Sequence, residues 1–268
     1  MPGSVTSVFS EAEEFAAALR AEGVLSLLVT GAGEFRARLT QLTLHRLRLS
    51  AAEERLPRIA FAAMPTDMIL VALASGRASA PIWGGTRLGT DEIMTLTAGQ
   101  HLHMRTDGPC RWGSIWFPTA ELLGYGSALT GRTFAVPSAA RWRLRPAMIR
   151  HLRHLHSAGI RAAEGSSNMF IGSEAAHGLE QQLIEALVEC LSNGSVIEAT
   201  CAIRGHQDVA VRFEALLQAP PAGASNMADI CATLGVSART LCLSCTEQLG
   251  MGPDEYLRRR RLRRVYRA

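Results

Sequence analysis

The sequence predicts an α+β fold, with a β-rich N-terminal part and an all-helical C-terminal part. Short alternating apolar segments, separated by Gly-rich turns, fill the first 145 residues. After Pro146 the apolar residues recur at helical spacing instead. The 268 residues are 47% hydrophobic, which is enough for a sizeable core. We therefore expect a β-rich domain over 1–145, a helical connector or dimerisation region over 146–217, a linker over 218–225 and a helical domain over 226–268.

The N-terminal part is predicted to contain one short helix and then a series of strands. The helix covers residues 11–20 and is capped by Ser10. Residues 35–50 alternate with two phase slips, which indicates two strands or one strand with bulges. Further strands are expected at Met68–Ala74, Glu92–Thr97, His101–Thr106 and Trp112–Phe117. Many short strands with Gly-rich turns are typical of an all-β barrel or sandwich.

Two helices are predicted between the β-rich part and the linker. Pro146 begins the first, which runs to about Glu164, and Ser173 caps the second, which ends at Asn193-Gly194. Both carry an apolar stripe that can pack against the β-rich domain, against the other helix or against a second subunit. The Pro and Gly residues of 220–223 mark the clearest domain boundary.

The last 43 residues have the pattern of two short helices joined by a tight turn. Met227–Leu234 has helical apolar spacing, and Gly235 ends this helix. Ser237 is a suitable N-cap for a second helix that ends at Gly250. This is the helix-turn-helix pattern, in which the second helix enters the major groove of DNA. A further helix is expected to start at Pro253.

The net charge of +4 lies entirely in this C-terminal segment. Residues 226–268 hold eight Arg and four Asp or Glu, whereas the acidic and basic residues of 1–225 cancel. A localised basic excess is typical of proteins that bind a polyanion. Arg258, Arg259 and Arg260 are candidates for phosphate contacts, and a solvated helix face is the alternative interpretation of this run.

Residues 229–241, with the sequence Asp-Ile-Cys-Ala-Thr-Leu-Gly-Val-Ser-Ala-Arg-Thr-Leu, resemble the first helix-turn-helix of AraC/XylS-type bacterial transcription regulators. The similarity extends over about the last 43 residues through Leu249-Gly250-Met251-Gly252-Pro253, Tyr256-Leu257 and Arg261-Leu262. The upstream order, a β-rich part followed by helices, is similar to the sensor region of that family. The resemblance implies a DNA-binding transcription regulator with a β-barrel or cupin-like sensor domain.

The resemblance also implies which side chains contact DNA. The base-contacting positions of the family's recognition helix correspond to Arg239, Cys242 and Leu243, and Ser237 and Thr240 lie at the start of the same helix. Arginine pairs well with guanine, whereas Cys and Leu offer apolar contact to a thymine methyl. We expect these five residues, together with the three arginines at 258–260, to form the DNA-binding set.

The sequence departs from the family pattern in two ways. Family members carry a second helix-turn-helix after the linker helix, but this chain ends at Ala268. We therefore expect a truncated member with one of two reading units. Because one unit reads only a few base pairs, a homodimer is also expected. In addition, Cys245 stands where the family commonly has a core aromatic residue, so neighbouring side chains must fill that space.

Two other residue pairs allow different interpretations. His101 and His103 share one face of a predicted strand, which fits a cupin-like metal site, the wall of a ligand cavity or two exposed side chains. Cys242 and Cys245 form a CxxC spacing, but a zinc site usually needs a second pair. A redox switch is a further interpretation, and packing is the default for such thiols. Three histidines of the Pro146 helix are expected at the surface: His151, His154 and His156.

The tryptophans of the β-rich part have two interpretations, because such side chains form the core or wall a small-molecule pocket. They are Trp83, Trp112 and Trp116. The sequence does not indicate an enzyme, since paired carboxylates, a phosphate-binding Gly loop and a nucleophile elbow are all missing. No cofactor, metal or catalytic residue is expected.

The expected location and partners follow from composition and from the resemblance. Six scattered Cys and no secretory leader predict a cytoplasmic protein whose cysteines are reduced thiols. No apolar run approaches the ~20 residues that span a bilayer. The expected partners are double-stranded DNA, a second copy of the chain and an unknown small-molecule effector in the N-terminal domain. The alternative functions are an interaction protein that acts through partners because its DNA binding is weakened, and a cupin-like metal-binding protein.

Overall fold

The computed structural model describes residues 3–74, 80–165, 174–198, 201–218 and 226–265. In these residues the chain is α+β, with two antiparallel sheets and with most of its helices in the C-terminal half. The predicted cap Ser173 and the predicted linker, apart from Gln218, lie outside the described residues.

The elements are numbered in chain order. The strands are β1 Gly3–Phe9, β2 Val24–Val29, β3 Ala37–Thr43, β4 Arg48–Glu54, β5 Arg58–Ala63, β6 Met68–Ala74, β7 Ile82–Trp83, β8 Thr86–Arg87, β9 Glu92–Leu96, β10 His101–Thr106, β11 Cys110–Pro118, β12 Ala139–Arg143 and β13 Ser195–Ile197. The helices are α1 Ala12–Ala18, α2 Thr119–Thr130, α3 Pro146–Glu164, α4 Glu174–Asn193, α5 Cys201–Gln218, α6 Met227–Leu234, α7 Ala238–Leu249 and α8 Pro253–Val265.

The strands form two sheets that pack face to face. The first sheet has the order β1-β3-β4-β11-β6-β9-β12-β13, and the second has the order β2-β5-β10-β7-β8. One buried apolar cluster joins them and includes Leu39 and Trp112 of the first sheet and Ala60 and Met104 of the second. The described strands form no closed barrel, so the predicted barrel is wrong. Alternating strands are compatible with a barrel and with a sandwich, and long-range packing decides between them.

Helices cover the outer face of each sheet. Helices α2, α3 and α4 share a core with the first sheet, whereas α5 to α8 share a core with Leu28 and Ile59 of the second sheet. The order of layers is therefore helices, first sheet, second sheet, helices. This explains the continuous apolar sequence of β6, because alternate residues of this strand are buried on opposite faces.

The N-terminal elements differ from the prediction. Strand β1 precedes the first helix, and α1 starts at Ala12 without a side-chain cap. The predicted cap Ser10 is therefore wrong. The helix ends in a short 3-10 turn over Leu19–Glu22. Of the two interpretations of residues 35–50, the structure has two strands, β3 and β4, joined by the hairpin turn at 44–47, and β4 continues to Glu54.

His156 is buried, so its predicted surface position is wrong. It lies on α3 one residue after buried Leu155, on the stripe that packs against the first sheet. Its Nε2 lies 3.1 Å from the carbonyl oxygen of Ser50. Burial lowers the pKa of His156 to about 4, although the carbonyl groups of Ser50 and Ser114 partly oppose this shift. His151 and His154 are exposed, as predicted.

Candidate functional site

Helices α6 and α7 meet at 89° and are joined by a three-residue turn. Gly235 ends α6 with a φ of +66°, a left-handed conformation that glycine adopts at little cost. The Ser237 hydroxyl accepts a hydrogen bond from the Thr240 amide at 3.1 Å, which confirms the predicted N-cap of α7. Asn226 caps α6 in the same way through the Asp229 amide at 3.0 Å. The sharp angle is therefore set by local sequence.

The inner face of α7 is apolar and packs against α5 and α6. Leu241 and Cys245 are fully buried beside Ile230, Leu234 and Phe213. Burial raises the pKa of the Cys245 thiol to about 12, with smaller contributions from Cys242 and Cys231. This thiol is therefore protonated and serves as a packing group.

The outer face of α7 carries four exposed side chains at helical spacing, namely Arg239, Cys242, Leu243 and Thr246. Leu243 keeps 48% of its surface exposed although it is a large apolar residue. No carboxylate of the described residues pairs with Arg239. The structure therefore brings five predicted residues together at the start of one helix: Ser237, Arg239, Thr240, Cys242 and Leu243.

The three predicted arginines of α8 are placed differently from one another. Arg258 pairs with Glu255 at 2.6 Å, and its side chain is 66% exposed. Arg259 also bonds Glu255 and donates to the carbonyl oxygen of Thr30, just after β2. Arg260 points inward to Glu214 on α5. Only Arg258 of the three therefore keeps most of its side chain in solvent.

Glu214 is the centre of a buried polar network that the sequence did not reveal. It accepts hydrogen bonds from the Tyr256 hydroxyl at 2.7 Å, from Gln218 at 3.2 Å and from the Ser26 hydroxyl at 3.4 Å. Arg260 forms an ion pair with it, and Nε2 of His103 lies 3.7 Å away. The network therefore ties α8 to α5 and both helices to the second sheet.

The environment of Glu214 favours its charged form. Burial by itself raises the pKa of this carboxyl group. His103, the Arg260 charge and the Tyr256 hydroxyl outweigh burial and lower the pKa to about 2. Glu214 is fully buried, and these partners offset the free-energy cost of removing its charge from water.

Helix α7 also contacts the second sheet directly. Gly85, between β7 and β8, has a φ of +76°, and a Cβ atom there would lie 2.5 Å from Nε2 of Gln248. The backbone of the turn between β7 and β8 therefore fits closely under α7, and Gly85 permits the approach. A separate contact joins α7 to α5, since Nδ1 of His206 lies 2.6 Å from the Glu247 carboxylate.

The His101 and His103 pair lies on the outer face of the second sheet. His103 is buried, whereas His101 is exposed, and both rings contact Phe61. Neither ring faces the space between the sheets. Within the described ranges, no group of three or more His, Cys, Asp or Glu has a geometry suited to a metal ion.

The interior between the sheets is occupied by large side chains. Trp83, Trp112 and Trp116 are all buried in it, which favours the core interpretation over the pocket. Fully buried Arg58 and Glu54 form a bidentate ion pair at 2.7 and 2.8 Å, and Trp112 donates to the same carboxylate at 2.6 Å. These contacts satisfy the two charges of this buried pair.

Two surface grooves lie outside this core. One, of about 260 Å³, is formed by α1, β2 and α8 beside Leu262. The other, of about 390 Å³, is formed by α2, α3 and α4 beside His151. Neither groove lies between the sheets, and an effector site in the N-terminal part stays a prediction.

None of the described helices is by itself long and apolar enough to cross a membrane. The bent pair α6 and α7 reaches the required length and composition only when the two helices are taken together. In the structure, the apolar side chains of α6 and α7 pack against α5.

Comparison with protein-family models and with curated proteins finds no match for this chain.

Proposed function

We propose that this protein is a sequence-specific DNA-binding transcription regulator of the AraC/XylS type, acting in the cytoplasm. The observation that carries the proposal is the outer face of α7, where a capped helix start presents an exposed Arg239 that pairs with no carboxylate of the described residues. Helices α6 and α7 would then form the helix-turn-helix. Their 89° angle suits a first helix across the DNA backbone and a second in the major groove.

Each exposed residue of α7 has a separate role in this proposal. The Arg239 guanidinium has the forked geometry that binds O6 and N7 of a guanine. Cys242 and Leu243 provide apolar contact to thymine methyl groups. Ser237 and Thr240 lie at the helix start, where backbone amides and the helix dipole favour a phosphate. Arg258 on α8 adds a second phosphate contact because its side chain stays largely in solvent.

The N-terminal sandwich has a sensing or assembly role in this proposal. It would bind a small effector or hold two copies of the chain together. A homodimer would carry two linked helix-turn-helix units. Linking the units raises the effective concentration of the second unit on DNA once the first is bound. The Glu214 network provides a physical connection between the sheet and α8 through which a change in the sandwich would reach the reading unit.

A second candidate function is an interaction protein with weakened DNA binding. The observation that favours it is the use of Arg259 and Arg260 for internal contacts with Thr30 and Glu214. Two of the three predicted phosphate contacts are then unavailable unless α8 moves. Such a protein would act through partners rather than by binding DNA alone.

Selection from random duplex DNA distinguishes the two functions. A regulator is expected to enrich one motif that contains a G·C pair at a fixed position. Its affinity should fall with salt, with a slope of about −0.9 for each phosphate contact in a log–log plot. Recovery of unenriched sequences, with an affinity that does not respond to salt, would contradict DNA reading and favour the interaction protein.

A further inference from the structure

The two sheets have four edge strands, and three of these edges are protected. Strand β13 has three residues and β8 has two, so both offer little backbone for pairing. Strand β2 carries a register shift between Val24 and Ser26, and Arg259 of α8 bonds the backbone at its end. Short length, irregularity and cover are the usual ways in which proteins prevent pairing at a sheet edge.

Within the part of the chain that the structure describes, strand β1 has none of these protections at its free edge. Its seven residues pair with β3 in unbroken register, from Gly3 opposite Thr43 to Phe9 opposite Ala37. Its sequence contains no charged residue and no proline. β1 has no second neighbour among the described strands. One side of its backbone therefore presents a regular row of amide and carbonyl groups.

The side chains of β1 are also suited to a neighbour. Val5 is 59% exposed and Val8 is 70% exposed, although both are apolar and β-branched. Because they are three residues apart, they lie on opposite faces of the sheet. An added strand would therefore cover an exposed valine on each face.

We propose that β1 pairs antiparallel with β1 of a second copy of this chain and joins the two first sheets into one. Full overlap of the seven residues places the twofold axis at Thr6, which then lies opposite Thr6 of the other copy. Val5 lies opposite Ser7, and Val8 lies opposite Ser4, so directly opposed residues share a face. β1 can pair with β1 of a second copy without electrostatic repulsion, because the strand has no charged residue and no like charges meet across the axis.

A second copy is a better occupant than an unrelated strand. Twofold pairing uses the β1 edge of both copies at once, so the assembly closes at a dimer and leaves only the protected edges of the described strands. The inference concerns the interface alone and holds whether or not the protein binds DNA. If the proposed function is also correct, the dimer supplies the second reading unit.

Opposite charges at Thr6 test this pairing. Sedimentation should give the wild type a mass of twice 28.9 kDa. Thr6→Lys and Thr6→Glu should each raise the dissociation constant by about fivefold, because like charges then face each other across the axis. An equimolar mixture of the two variants should recover the dimer, since Lys then faces Glu.

Two controls separate pairing from a general loss of structure. Thr6→Val gives up the 3.3 Å contact with the Thr40 hydroxyl but adds no charge, so it should stay dimeric. Leu25→Lys adds the same charge to the protected edge β2 and should also stay dimeric. Thermal unfolding of each variant establishes that it is folded.

Three results would overturn the proposal. The first is a wild type that sediments at a single chain mass at every concentration reached. The second is a folded Thr6→Lys variant that dimerises as well as the wild type. The third is a mixture of folded Lys and Glu variants that stays monomeric, which would exclude the axis at Thr6. None of these measurements involves DNA, so their failure is separate from failure of the proposed function.

Discussion

Replacing Glu214 by alanine is expected to lower the free energy of unfolding by about 3–5 kcal/mol, the range for breaking a buried ion pair. The variant leaves Arg260 without its carboxylate and the buried Tyr256 hydroxyl without its acceptor. Ser26 and His103 also lose their contact with the Glu214 carboxylate. Urea unfolding measures the loss. A decrease below about 1 kcal/mol, the size of one ordinary hydrogen bond, would contradict the central role of Glu214.

Glu214→Gln is the matched control, because it keeps the shape and an acceptor for Tyr256 but removes the charge. We expect it to lose less stability than the alanine variant. It also tests the pH dependence. The pKa of Glu214 is lowered from 4.5 to about 2 on folding, so its contribution is fully present above pH 4.5. At 1.36 kcal/mol per pKa unit, the lowered pKa contributes about 3 kcal/mol to the free energy of unfolding. This contribution is lost as the pH falls through about 2.

The same comparison gives a clear result in acid. Between pH 4.5 and 2 the wild type should lose stability more steeply than Glu214→Gln, because only the wild type binds a proton at this position on unfolding. Parallel unfolding curves for the two proteins over this range would mean that Glu214 does not titrate as the network requires.

Leu241→Ala is expected to destabilise the protein by about 2–5 kcal/mol, the usual cost of deleting a buried leucine side chain. Leu241 is fully buried among Ile230, Cys245 and Phe213. Removing it takes away one of the side chains through which α7 packs against α5 and α6. Denaturant unfolding gives the loss directly.

Leu243→Ala is the matched control on the same helix. Leu243 is 48% exposed, so its loss should change stability by less than about 0.5 kcal/mol. It should instead weaken binding to duplexes that carry a thymine at the contacted position, if α7 lies in the major groove. Equal destabilisation by the two variants would show that the inner and outer faces of α7 are wrongly assigned.

The sequence predicted α6 and α7 well because their ends are set by local chemistry. Gly235 and Gly250 adopt left-handed conformations, and Ser237 caps α7, so short-range signals suffice. Strands β6 and β10 also match their predicted bounds. Short-range signals could not predict whether the strands form a barrel or a sandwich, since this depends on which strands become edges after long-range packing.

The candidate site shows the same division. The family resemblance implied Arg239, Cys242 and Leu243 as contact residues, and all three side chains are exposed on α7. The loss of Arg259 and Arg260 to internal contacts was not predicted, because Thr30 is 229 positions and Glu214 is 46 positions away along the chain. Charge counting identifies a basic segment but cannot identify the partners that distant residues provide.

The most direct test of DNA reading is the affinity of Arg239→Ala for the selected duplex and for the same duplex with its G·C pair replaced. If Arg239 reads that guanine, the variant should lose about 1–3 kcal/mol on the selected duplex and bind both duplexes equally. Arg258→Ala, the control, should weaken binding to both duplexes alike and lower the salt slope by about 1. Full discrimination by Arg239→Ala between the two duplexes would contradict the account.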